Sequence, residues 1–94
     1  MKVGLIVPTL NAGPTFESWL AAYAQQTFKP DYALVIDSSS EDETAARART
    51  HGFTVEVIRR EAFNHGTTRD FGVSYLSDAD ILIFLTQDAV LADP

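Results

Sequence analysis

Four short stretches of the sequence gather residue types that bind charged or hydroxylated ligands: "PTLN" from Pro8, "DSSS" from Asp37, "NHGTTR" from Asn64 and "TQD" from Thr86. A carboxylate at a strand end, such as Asp37, can accept a hydrogen bond from a base or a ribose hydroxyl. Asp88 can hold Mg²⁺ or Mn²⁺, hard cations that take one or two carboxylates together with substrate phosphates and water. Such a cation lets an acidic protein bind a diphosphate and stabilises it as a leaving group. Arg69 can add a two-pronged phosphate contact. The backbone through Pro8, Thr9, Leu10 and Asn11 can cradle a nucleotide, with Ser39 and Gln87 as further polar contacts. Taken singly, each stretch has a plainer reading. Asp37 and its serines suit a turn and a helix cap, Arg69 can pair with Asp70 in solvent, and Asp88 can cap a helix. Convergence of all four on one edge of a sheet is what favours a ligand site.

Composition narrows the class of ligand. The 94 residues carry seven Lys and Arg against 13 Asp and Glu, a formal net charge of -6. No basic stripe is present for nucleic acid to grip. A small anionic ligand then needs a local Arg or Lys, backbone donors or a divalent cation to offset the acidic field. With no cysteine, disulfides, thiolate zinc sites and cysteine nucleophiles are excluded. The two histidines have no metal-ligand spacing, and neither a Walker loop nor a G-x-G-x-x-G motif occurs. No apolar run approaches the ~20 residues of a membrane span. The expected setting is cytoplasmic, with the inner membrane face as an option for a longer protein.

The elements that must carry these residues alternate, which predicts an α/β domain with a mainly parallel sheet. "KVGLIVPT" is a continuous apolar run, expected of a strand buried on both faces and ended by Pro8. In "NAGPTFESWLAAYAQQ", Pro14 suits the first helical position, and Phe16, Trp19, Leu20, Tyr23 and Ala24 form one helical face. "YALVIDSSS" is the second strand. "SEDE" at Ser40–Glu43 has the form of a capping box, leading a helix that stops at Gly52. "FTVEVI" is a half-exposed third strand. A third helix is expected with Thr67 as N-cap; Gly72 inside it predicts close packing. "ADILIFL" is the fourth strand. Right-handed crossovers give the strand order 3-2-1-4 and a ligand crevice between strands 1 and 2 or 1 and 4, beyond the strands' carboxyl ends.

Assembled in this way, the chain resembles the nucleotide-binding half of a family 2 glycosyltransferase with a Rossmann-like, three-layer GT-A fold. "VPTLNAG" resembles the family's opening strand and loop, "VIDSSSEDET" its D-D/N-x-S-x-D motif, "NHGTTRDFG" its N-x-G…A-R-N-x-G stretch, and "FLTQDAV" the strand ending in a D-x-D-type metal motif. The match implies that Asp37 contacts the base, that Asp42 starts the second helix and that Asp88 binds the metal. Pairing "FNHGTTRD" with "LTQDA" is most similar to the rhamnosyltransferase-type members. That implies a dTDP-rhamnose donor, inversion at the anomeric carbon, and a saccharide or lipid-linked acceptor in polysaccharide or O-antigen assembly.

The chain departs from the family pattern at Asp70, where Asn is usual, and at Thr86 and Ala89, where many members carry acids. Family members also continue past Pro94 into an acceptor-binding half that carries the catalytic base. The expectation is therefore a donor half-site that binds nucleotide without transfer, with self-association through the fourth strand or third helix. The alternatives are a non-catalytic nucleotide-binding module and a small interaction domain like a receiver. The first strand ends without the acids a receiver needs. A nucleotidyltransferase would need a Gly- and Arg-rich opening loop that is missing.

Overall fold

Seven elements alternate along the chain: β1 (Val3–Thr9), α1 (Thr15–Ala24), β2 (Tyr32–Asp37), α2 (Thr44–Thr50), β3 (Thr54–Val57), α3 (His65–Tyr75) and β4 (Ile81–Phe84). The computed structural model describes residues 1–13, 15–27, 29–59, 61 and 65–86, with backbone alone at 65–67. Pro14, Asn64, Gln87, Asp88 and Pro94 lie outside the described residues. The strands form one sheet in the order β3-β2-β1-β4. Every pairing is parallel, with Leu5 opposite Ala33 and Ile83, and Val35 opposite Val55.

Both faces of the two central strands are covered, which is why their sequences do not alternate. On one face Leu5, Val7 and Val35 pack with Phe16, Trp19 and Leu20 of α1, Ala48 of α2 and Phe53. On the other, Ile6, Leu34 and Ile36 meet Leu76 just past α3. Of the apolar face expected on α1, Phe16, Trp19 and Leu20 are buried, Tyr23 is half-buried and Ala24 is exposed. Gly72 lets α3 lie directly on the sheet. A Cβ there would come within 2.7 Å of Ile6 Cδ1, so that side chain would have to move, and would touch Ile36 Cδ1 at 3.4 Å. The close packing expected at Gly72 is present.

Gly52 ends α2 with φ +90°. The Gly52 amide donates to the Arg49 carbonyl and the Phe53 amide to the Ala48 carbonyl, the paired bonds of a Schellman turn. At the other end of α2 the capping box does not form. The N-cap position is Glu43 and makes no side-chain cap bond. The Ser40 hydroxyl instead donates to Asp37 at 2.6 Å, because a carboxylate outcompetes a neutral acceptor. Helix α3 begins at His65, so Thr67 falls in its first turn and is not its N-cap.

Strand β1 also runs one residue further than Pro8 suggests. The Ile6 carbonyl accepts from Leu85, on the β4 side, whereas the Thr9 carbonyl accepts from Ser38, on the β2 side. Alternation along the strand turns the nitrogen of Pro8 towards β4, so the missing N–H interrupts only that ladder. Past Ile6, β1 stays joined to β2 up to the Thr9–Asp37 pair, while its register with β4 ends at Phe84. The chain passes from β1 to β2 on one side and reaches β4 on the other, which makes the β1/β4 boundary the topological switch point.

Candidate functional site

The carboxyl ends of β1 and β2 carry two loops that interlock. Asp37, only 1% exposed, closes β2 with its carboxylate turned inward. Its Oδ1 accepts from the Thr9 hydroxyl at 2.7 Å and from the Ser40 hydroxyl at 2.6 Å, and its Oδ2 accepts from the Ser40 amide at 2.8 Å. Burying a carboxylate is costly unless it is hydrogen-bonded, and these three donors meet that cost. Asp37 is thus occupied in joining the end of β1 to the loop after β2. One acceptor position on Oδ2 is left over from these three bonds.

The backbone after β1 is likewise engaged. The Asn11 amide donates to Ser40 Oγ at 2.8 Å, the Ala12 amide to Thr44 Oγ1 at 3.1 Å and the Gly13 amide to Asp42 Oδ2 at 3.1 Å. In return the Glu41 amide donates to Asn11 Oδ1 at 2.7 Å. The amides of residues 11–13, expected to cradle a nucleotide, face the loop between β2 and α2. Two non-glycine residues take left-handed backbone here, Asn11 at φ +45° and Ser39 at φ +58°. Such geometry is uncommon outside glycine and is tolerated by Asn better than by most residues. Each sits beside a fixing bond: Asn11 through the Glu41 amide, and Ser39 through its hydroxyl, which donates to the Ile58 carbonyl at 2.6 Å.

Asp42 anchors the second half of the interlock. Its Oδ1 accepts from the Thr44 amide at 3.0 Å and also from the Thr44 hydroxyl, while Oδ2 takes the Gly13 amide. These donors, the Thr44 hydroxyl foremost, hold its carboxyl below the usual carboxylate range.

Beside this interlock lies an open cavity of about 380 Å³, lined by Ser39, Glu41, Arg59 and Glu61. Ser39 was expected at the site; Arg59 and Glu61 were not. They follow β3 just as Ser39 follows β2, so the signal for them in the sequence is "VIRRE", a polar stretch at a strand's carboxyl end where ligands meet such sheets. Arg69 lies apart, at the β4 end, with its guanidinium 4.9 Å from the centroid of the Phe84 ring. That stacking holds a cation where β4 leaves the sheet. Pro8 is half-buried on the β4-facing side, and Leu10 is exposed at the loop tip. The structure brings Thr9, Asn11, Asp37 and Ser39 together and places Arg69 across the β1/β4 boundary from them. Gln87 and Asp88 lie outside the described residues. Among the described residues no three His, Asp or Glu side chains gather into an all-protein metal site.

The family model for "Glycosyl transferase family 2" matches residues 5–94. Over nearly its whole length the chain is 49% identical to the O-antigen chain rhamnosyltransferase RfbN of Salmonella typhimurium, and over 92% of it 42% identical to the O-antigen chain rhamnosyltransferase WbaN of Salmonella anatum. It spans 30% and 28% of the length of those relatives. Among solved structures, it superposes with TM-score 0.71 on glucosyl-3-phosphoglycerate synthase from Mycobacterium tuberculosis, solved with Mn²⁺, UDP and glucosyl-3-phosphoglycerate. That match, at 22% identity, covers 99% of this chain and 36% of the synthase. With TM-score 0.67 and 25% identity it matches 28% of the mannosyltransferase PcManGT from Pyrobaculum calidifontis, solved with GDP-Man and Mn²⁺, over 95% of this chain. The parallel sheet in the order 3-2-1-4 is thus the arrangement of GT-A glycosyltransferases.

Proposed function

Since the chain belongs to glycosyl transferase family 2, we propose that it forms the donor-binding part of a glycosyltransferase, holding the nucleoside diphosphate of a nucleotide-sugar at the carboxyl edge of its sheet. The observation that carries this reading is the 380 Å³ cavity at the ends of β2 and β3, beside a loop pair already braced. The hollow is open and polar, and Ser39 and Arg59 on its walls are donors that can orient a small ligand. Ser39 and Arg59 border the nucleoside; Thr9 and Asp37 brace the wall behind it; Arg69, across the switch point, faces the diphosphate. The two relatives' names point to a rhamnosyl donor, and dTDP-rhamnose is the donor of choice.

In the whole protein an acceptor hydroxyl, on a saccharide or a lipid-linked saccharide, attacks the anomeric carbon with inversion. Its proton passes to a carboxylate base expected beyond residue 94. The bond to the nucleoside diphosphate breaks as the new glycosidic bond forms, and the leaving charge falls near Arg69. Positioning and charge stabilisation carry most of such catalysis. Asp88 would hold a divalent cation, Mg²⁺ or Mn²⁺, which when bound would supply positive charge against the leaving diphosphate. The whole enzyme works in the cytoplasm, at the inner membrane face where its acceptor is lipid-linked.

Calorimetric titration of dTDP and UDP into the chain, with Mn²⁺ and then with chelator, tests the reading. Metal-dependent binding that favours dTDP is expected, and Asp88→Asn should abolish the metal dependence. Absence of binding both in this chain and in one extended beyond Pro94 would overturn the donor site. A second copy of the chain is the proposed occupant of the exposed β4 side, where Ile81, Ile83, Val73 and Tyr75 are all exposed. A clean monomer in sedimentation at high concentration would refute that association.

A further inference from the structure

We infer that Asp42 is a positioning residue for donor binding, acting through the β1–α1 loop and not by touching the nucleotide. This rests on the donor-site reading above. Asp42 bonds the Gly13 amide directly and, through Thr44, the Ala12 amide. Ser40 performs the same service for Asn11. Three successive amides of one loop are therefore held by side chains of the other loop and of the first residue of α2.

The two sets differ in what backs them. Ser40 is fixed by buried Asp37, whereas the Ala12 and Gly13 bonds both converge on the one exposed carboxylate of Asp42. Thr44, the intermediary, is itself buried, so its hydroxyl has a fixed direction and transmits the carboxylate's position. Asn11, held at a positive φ, stands immediately before this pair. Release of residues 12 and 13 leaves Asn11 held by Ser40 and the Glu41 amide alone, so its left-handed turn loosens and, through Glu41 on the cavity's edge, so does the wall that the nucleotide meets. A site is only as precise as the shell that supports it.

The test uses dTDP with Mn²⁺ as probe, calorimetry for affinity, and thermal unfolding and amide exchange for structure. Asp42→Asn keeps an oxygen for Thr44 and turns an amide towards Gly13, removing one charge-assisted bond. Affinity should fall about tenfold, the equivalent of such a bond, with faster exchange at Ala12 and Gly13. Thr44→Val should weaken binding, and Thr44→Ser should restore it. Asp80→Ala, at the opposite end of the sheet, serves as a control that lowers stability without touching the loop. Unchanged affinity in folded Asp42→Asn and Thr44→Val would overturn the inference while leaving the donor site standing. So would losses that merely track stability and match those of Asp80→Ala. Failure of the unaltered chain to bind dTDP, alone or extended, would overturn both.

Discussion

Aspartates secure both ends of this sheet, but they are wired differently. At the amino end, Asp31 and Asp80 flank the start of β1. The Asp31 carboxylate accepts the Val3 amide at 2.8 Å while its own amide donates to the Val3 carbonyl at 2.8 Å. Asp80 does the same with Lys2, at 2.7 Å in each direction. Each closes a ladder between neighbouring strands and touches nothing else in the bonds described. At the carboxyl end, Asp37 and Asp42 bond across loops and bring together two left-handed residues, two buried threonines and the edge of a cavity. One end resembles a hem, and the other a frame around an opening. Bonds that complete a ladder contribute stability alone, whereas bonds that brace an opening contribute stability and shape together.

The sharpest way to break this contrast is Asp37→Ala. It leaves three donors facing an empty buried space, and about 3 kcal/mol or more of stability should go with it, together with dTDP binding. Chemical denaturation and calorimetry check the two effects separately. Next in size is Gly72→Val, which tests the floor of the site and not its frame. Its methyls must displace Ile6, at a cost of about 2 kcal/mol, and α3 with Arg69 should shift away from the sheet. Asp31→Ala and Asp80→Ala should each cost about 1 kcal/mol and leave affinity for dTDP unchanged. A loss of affinity there would erase the distinction between the two ends.

The smallest effect is on pH. The folded state holds the Asp42 carboxyl low, chiefly through the Thr44 hydroxyl, so it binds fewer protons than the unfolded chain. Its stabilisation is complete above the unfolded carboxylate range near ~4 and is lost as pH falls through the lower folded value. Solvent screening keeps this to a fraction of a kcal/mol. Thermal unfolding should fall off less steeply with acid in Asp42→Asn than in the parent chain. An unchanged acid limb would show that Asp42 contributes nothing to it.

The four strands, three helices and their order are legible in the sequence because they depend on local patterning. A continuous apolar run makes a doubly covered strand, as at Leu5, Ile6 and Val7. A 3.6-residue period makes the face of Phe16, Trp19 and Leu20, and a left-handed glycine ends α2 at Gly52. Parallel strands joined by right-handed crossovers then leave few topologies. Gly72 is legible too, since a glycine in a helix has a cost that only close packing offsets. The "PTLN" and "DSSS" stretches, which meet at the carboxyl ends of β1 and β2, could be named because the strand ends follow from the same patterning.

Which way each polar group faces was decided by the tertiary structure. "SEDE" reads as a capping box, yet Asp37, distant only by a turn, takes the Ser40 hydroxyl. Pro8 reads as a stop, yet β1 continues because its missing donor points at the strand that is about to leave. Asp37 reads as a ligand contact and turns inward, since only there do Thr9 and Ser40 supply its buried carboxylate with donors. Hydrophobic burial follows period and composition, which a linear sequence displays. A hydrogen bond depends on direction and on which competing partner lies within about 3 Å, and for Asp42 and Gly13, or Asn11 and Ser40, that proximity exists only once β1 and β2 lie side by side.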